Sequence, residues 1–203
     1  MAALERFIHD ERTAYPGLVK AGLAHVQFES IHPFLDGNGR IGRLLIALLL
    51  HDSGVLVQPL LYLSLYFKQH RAEYYRLLDL VRADGDWEAW LDFFLEAVAE
   101  AATGAVQTAQ RLVALFEHDG AQVRSRGRRA SAAVRVFDVL RARPVISLNE
   151  ACRRAGLTFP TATKGMAVLV DMSIARELTG QRRNRVFAYQ SYLSILNEGT
   201  EPL

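Results

Sequence analysis

The chain has 203 residues, enough for one large domain or two small ones. Half of it is apolar and 23% is charged, which excludes a disordered, collagen-like or mucin-like polymer. One cysteine, Cys152, rules out an intramolecular disulfide, and no apolar run approaches the ~20 residues of a membrane span. With no basic-apolar-small leader at its start, a cytoplasmic protein is the expectation. The net charge of +2 hides an asymmetry. Residues 1–118 hold 10 basic and 15 acidic side chains, net −5, whereas residues 119–203 hold 14 and 7, net +7. That contrast points to two domains with different partners.

In chain order, Leu4, Phe7 and Ile8 keep helical spacing until Tyr15-Pro16-Gly17 breaks it. Leu18–Ser30 resumes the helix, His32–Gly39 is rich in turn formers, and Ile41–His51 is a strongly apolar helix closed by Asp52-Ser53-Gly54. Leu65–Arg82 reads as one helix, Asp86 as an N-cap, and Ala89–Phe116 as one or two more helices. Nothing before residue 140 alternates with period two, so 1–118 is predicted to be an all-α bundle. Residues 119–129, with Gly120, Gly127 and four arginines, read as a linker. From 130 to 203 the order changes. It runs helix (Ser131–Arg143), strand (Pro144–Ser147), helix (Leu148–Ala155), and a second helix (Pro160–Met172) behind a Thr158 cap. Two strands, Ala175–Leu178 and Arg185–Tyr189, follow. Helix-turn-helix plus β-hairpin is the order of a winged helix, so the fold class expected is mainly α with a small α+β domain after a helical bundle.

Chemistry concentrates in His32-Pro33-Phe34-Leu35-Asp36-Gly37-Asn38-Gly39-Arg40-Ile41-Gly42-Arg43. A glycine-flanked loop entering a helix leaves backbone N–H groups free for an anion. Arg40 and Arg43, three residues apart, can both reach phosphate oxygens. Asp36 is an oxygen ligand of the kind Mg²⁺ shares with phosphates, and His32 is the residue type suited to proton abstraction near neutrality. Together they describe a nucleotide-phosphate site beside a general base. The formal G-x-G-x-x-G match is not a dinucleotide fingerprint, since no strand precedes it and Tyr62 stands where an acid belongs. No Gly-Lys-Ser/Thr makes a P-loop. His25, Glu29 and His32 could share a helix face as metal ligands, but Pro33 disfavours α geometry at His32, so His25 and Glu29 are read as ordinary polar contacts.

These twelve residues resemble the H-P-F-x-[D/E]-G-N-G-R-x-x-R signature of the Fic family. The likeness extends back through Ala24–Ile31 and on through Tyr74-Tyr75 to Gly85-Asp86-Trp87. It implies transfer of AMP from ATP to a Ser, Thr or Tyr hydroxyl of a protein, with ATP as substrate and Mg²⁺ as cofactor. His32 would be the base and Asp36 the metal ligand. Backbone amides of Gly37, Asn38, Gly39, Arg40, Ile41 and Gly42, with the Asn38 side chain, would cradle phosphates gripped by Arg40 and Arg43. Tyr75 resembles the family tyrosine near the adenine, and equally fits a core aromatic. The target could be the chain itself, and self-association is a further expectation. The resemblance also implies that the family's upstream helices and strand-pairing flap lie outside these residues, because only 31 precede His32. Ser194–Gly199 resembles the family's inhibitory helix, implying Glu198 as a partner for Arg43.

In the basic part, Thr161, Thr163 and Lys164 on the second helix of the pair, and Arg182, Arg183 and Arg185 in the wing, are candidate nucleic-acid contacts. A protein-docking role fits the same residues. Two alternatives to AMP transfer stay open. One is a DNA-binding regulator whose core senses nucleotide; the other is an enzyme that removes AMP or moves another phosphate-containing group.

Overall fold

The computed structural model describes residues 1–10, 15–57, 62–181 and 183–198, the side chains of residues 128 and 129 excepted. Two compact units divide at Ala105/Val106.

The first unit is helical throughout. It comprises α1 (Ala2–His9), α2 (Gly17–Ile31), α3 (Asn38–Asp52), α4 (Leu63–Gln69), α5 (Arg71–Asp84) and the first part of α6 (Trp87–Ser125). Pro16 sits at the α2 N-cap, where its missing N–H costs nothing. Asp86 starts α6 as expected, its carboxylate accepting from the Ala89 N–H at 3.1 Å. The core gathers Val26, Ile46, Leu50, Phe67, Tyr74, Leu78, Trp90 and Phe94. Each large side chain buried there contributes roughly 1.5–3 kcal/mol. Gly22 lets α2 approach α6, since a Cβ would lie 2.8 Å from the Phe94 ring, and the Trp90 indole donates to the Gly22 carbonyl at 2.9 Å.

The helix expected over Leu65–Arg82 is two helices. At His70 the backbone leaves helical geometry (φ −102°, ψ 34°), and its imidazole stacks on Tyr66 at 4.2 Å. The break allows Leu63, Tyr66 and Phe67 of α4 and Tyr74, Leu77 and Leu78 of α5 all to be buried.

The second unit holds the end of α6, a 3-10 turn (Gly127–Ala130), α7 (Ser131–Ala142), β1 (Val145–Ser147), α8 (Leu148–Ala155), α9 (Phe159–Asp171), β2 (Ala175–Glu177), β3 (Val186–Tyr189) and α10 (Gln190–Asn197). The sheet is antiparallel in the order β1-β3-β2, with Ile146 and Glu177 both opposite Phe187. Gly165 brings α9 onto α7, where a Cβ would meet the Ala132 backbone at 2.8 Å. Thr158 occupies the α9 N-cap, but its hydroxyl pairs with that of Thr161 at 2.8 Å instead of with the backbone.

The stretch 119–129 is not the linker expected after a 1–118 core. It is helical through Ser125. Val123 is fully buried in the second core, and the Tyr189 hydroxyl donates to buried Asp119 at 2.6 Å. Burial and the Asp119 carboxylate both raise the Tyr189 pKa and keep it a donor. Tertiary burial along one face thus carries the helix past Gly120, whose missing side chain leaves room for the Phe137 ring.

Candidate functional site: a glycine loop at the start of a helix

The loop between α2 and α3 is shaped by two left-handed residues. His32 ends α2 at φ 48°, ψ 58°, with its N–H bonded to the Phe28 carbonyl at 3.0 Å. Gly37 caps α3 at φ 81°. Asn38 ties the loop between them. Its side-chain carbonyl accepts from the Phe34 N–H at 2.9 Å, and its amide donates to the Phe34 carbonyl at 2.6 Å. This corrects the role expected for that side chain. Only 2% exposed and bonded to the loop at both ends, it holds the turn in shape and is not free to cradle phosphate.

The remaining motif residues frame a candidate anion site. The first N–H groups of α3 have no intrahelical acceptor, and no side chain caps them. Arg40 and Arg43 fold back over the two glycines. A Cβ on Gly37 would lie 3.3 Å from Arg40 Nη2, and one on Gly39 3.1 Å from Arg43 Nη1. Two cations at a positive helix end are an unfavourable pairing that an anion relieves. His32 is exposed at the other end of the loop. Asp36 is 92% exposed in its side chain, and its pairing with Arg40 at 3.3 Å is of the weak surface kind that phosphate or a cation replaces easily. No group of three or more metal-ligating side chains occurs among the described residues. A lone carboxylate fits Mg²⁺ that takes its other ligands from phosphate and water. A cavity of about 230 Å³, lined by Arg40, Arg43, Leu44, Ala47, Leu63 and Ser64, adjoins the arginines.

The Fic/DOC family pattern matches residues 1–50. Over these residues the chain is similar to the Fic/DOC family. The protein adenylyltransferase Fic of Drosophila ananassae is 36% identical over 99 residues, and that of Drosophila erecta is 37% identical over 100. Each match takes in 47% of this chain and 18% of the fly protein, so the chain spans less than a fifth of these relatives' length. A Fic family protein from Desulfovibrio desulfuricans shares the fold at a TM-score of 0.51 and 23% identity, over 93% of this chain and 53% of that one.

Beneath the loop lies a buried polar layer that the motif does not announce. His25, fully buried, shares a 2.9 Å hydrogen bond between Nε2 and the Tyr74 hydroxyl. Burial pulls its pKa down to about 4; contact with the Gly42 backbone opposes this, and the Arg43 charge adds to it. Glu29 is 6% exposed, and its Oε1 has no hydrogen-bond partner. Burial raises its pKa against the pull of Arg43, His32 and Arg82. Gly42 is where the two meet. A Cβ there would run into Glu29 Oε1 and come within 3.0 and 3.1 Å of the His25 ring, so residue 42 has no room for a side chain. The i, i+4 spacing of His25 and Glu29 was the sequence signal for this layer; the part played by Gly42 had none.

Tyr74, not Tyr75, is the core aromatic. Tyr75 is 52% exposed, edge-on to Tyr74 and 5.6 Å from the Arg71 guanidinium. Within the second unit, both Glu198 carboxylate oxygens accept from the Arg111 guanidinium, one at 2.7 Å, and Tyr192 of α10 packs edge-on against Phe116 of α6. Of the basic candidates, Lys164 and Arg183 are exposed, and the Arg185 guanidinium lies 4.9 Å over the Phe187 ring. Arg182 lies outside the described residues. Among the described residues, no helix is long and apolar enough to cross a membrane.

Proposed function

We propose that the N-terminal part of the chain transfers AMP from ATP to a Ser, Thr or Tyr hydroxyl of a protein. The observation that carries this reading is the exposed His32 held by the same loop that leaves the first N–H groups of α3 free beneath Arg40 and Arg43. The name of the fly relatives, protein adenylyltransferase, agrees with it. In the step proposed, the His32 imidazole takes the hydroxyl proton as the oxygen bonds to the α-phosphorus. The bond from the α-phosphorus to the bridging oxygen breaks, and pyrophosphate leaves. The α3 amides stabilise charge on the transferring group, and Arg40 and Arg43 grip the terminal phosphates. Asp36 is the residue that would hold Mg²⁺, which supplies neutralising charge on the phosphates when bound. Incubation with α-labelled and, separately, γ-labelled ATP tests the reading. Covalent label is expected from the α-labelled form alone. Label from neither form would refute transfer, and label from the γ form would make the chain a kinase.

For the second unit we propose a winged helix that contacts nucleic acid without sequence readout. Its element order and the exposed Lys164 and Arg183 support this, while the Thr161 and Thr163 hydroxyls are bonded within the unit. Binding to a random-sequence duplex should weaken with salt, and removing either cation should reduce the log–log slope by about 0.9. Binding indifferent to salt would leave protein docking as the role.

A further inference from the structure

The α2 helix must end at an unfavourable place. His32 is not glycine, yet it holds φ 48° and precedes a proline. Such a conformation persists only where its surroundings over-determine it. One constraint is local, the His32 N–H bonded to Phe28. Another comes from a helix some fifty residues away in sequence. Arg82 of α5 donates from Nη2 to the Glu29 carbonyl at 3.0 Å and from Nε to the Ser30 hydroxyl at 3.2 Å. Its Nη1 donates to Asp79 at 2.9 Å, which fixes the fork. Ser30 in turn donates to the Val26 carbonyl at 2.8 Å. The guanidinium thus satisfies a carbonyl that the helix end leaves without a donor, and it places positive charge at the negative end of α2. Arg76, six residues earlier on α5, makes both its bonds to Glu73 of its own helix.

We propose that Arg82 is a positioning residue for His32: by clamping the last turn of α2 from α5, it holds the backbone from which the imidazole reaches the substrate. The inference rests on His32 being the base of the transfer proposed above. It explains why an arginine stands there. A lysine ammonium cannot bridge a carbonyl and a hydroxyl while a third N–H is held by Asp79 in a planar fork.

The test compares the full chain with Arg82→Ala, Arg82→Lys and Arg76→Ala by residue-resolved amide hydrogen exchange and by label transfer from α-labelled ATP. In Arg82→Ala the His32 amide should exchange about tenfold faster, with amides of α3 unchanged. The transfer rate at saturating ATP should fall about tenfold, while the half-saturating ATP concentration moves less than about twofold. Arg82→Lys should recover neither property fully, and Arg76→Ala should match the parent in both. Should Arg82→Ala fail to fold, Ser30→Ala, which removes one of the two acceptors on α2, is expected to shift both readouts in the same direction. An unchanged His32 exchange rate in Arg82→Ala and Arg82→Lys would overturn the clamp, as would a change confined to ATP saturation. If the parent transfers no label, the adenylylation reading falls, and exchange at His32 still decides whether the clamp exists.

Discussion

His32→Ala is expected to lower the rate of AMP transfer about 10²–10⁴-fold, the range a positioned general base supplies. Its effect on ATP affinity should stay below about threefold, because the proposed phosphate site is made by other groups. Those groups are the free amides of α3 and the guanidinium groups folded over Gly37 and Gly39. Label incorporation at saturating ATP, beside equilibrium binding of ATP to the same protein, separates the two quantities. A variant that loses binding along with transfer would show that His32 shapes the loop instead of moving a proton. Its left-handed backbone gives that outcome physical content, since alanine in the same place retains the strain but loses the ring. Comparable transfer by parent and variant would remove the proposed base altogether.

The candidate site was legible where chemistry demands residue types. His32, Asp36 and the two arginines fall within twelve residues, and Gly37 admits the left-handed turn that starts α3. The helix, strand and turn order from Ser131 to Tyr189 was legible too, because Gly156 and Pro144 mark its boundaries and the spacing of apolar residues is regular. What the sequence concealed are choices made by tertiary contact. Asn38 resembles a ligand by composition, yet burial commits both ends of its side chain to Phe34. Residues 119–129 resemble a linker because arginine and glycine dominate, but Asp119 and Val123 fall on one helical face and meet Tyr189 and the second core. The adjacent Tyr74 and Tyr75 are chemically identical in sequence, and only the direction of the α5 face sends one inward to His25. Arg82 is one of 24 basic residues, with nothing local to mark it. Pairings between distant positions are set by how helices pack, and single-residue patterns do not encode them.

Acid is expected to destabilise the first unit through His25. Its pKa is held at about 4 in the fold, against an ordinary value of 6.5. Between those values the unfolded chain binds the proton and the folded one does not, so stability rises with pH. The contribution is fully present above pH 6.5 and lost as pH falls to about 4, a difference of about 3 kcal/mol. Glu29 acts in the opposite sense. Its raised pKa means that the fold retains a proton the unfolded chain has released, so its part weakens as pH rises above 4.5 and partly offsets His25 on the acid side. Both of the chain's tryptophans, Trp87 and Trp90, belong to the first unit, and the Trp90 ring stacks 5.8 Å from His25. Urea unfolding followed by tryptophan fluorescence from pH 7 to pH 4 therefore reads this unit alone. His25→Gln, which keeps a polar atom for Tyr74 but cannot titrate, should flatten the pH dependence, whereas Glu29→Gln should steepen it. Equal slopes in the parent and His25→Gln would show that the acid sensitivity comes from elsewhere. The layer beneath the loop would then be a packing feature without electrostatic consequence.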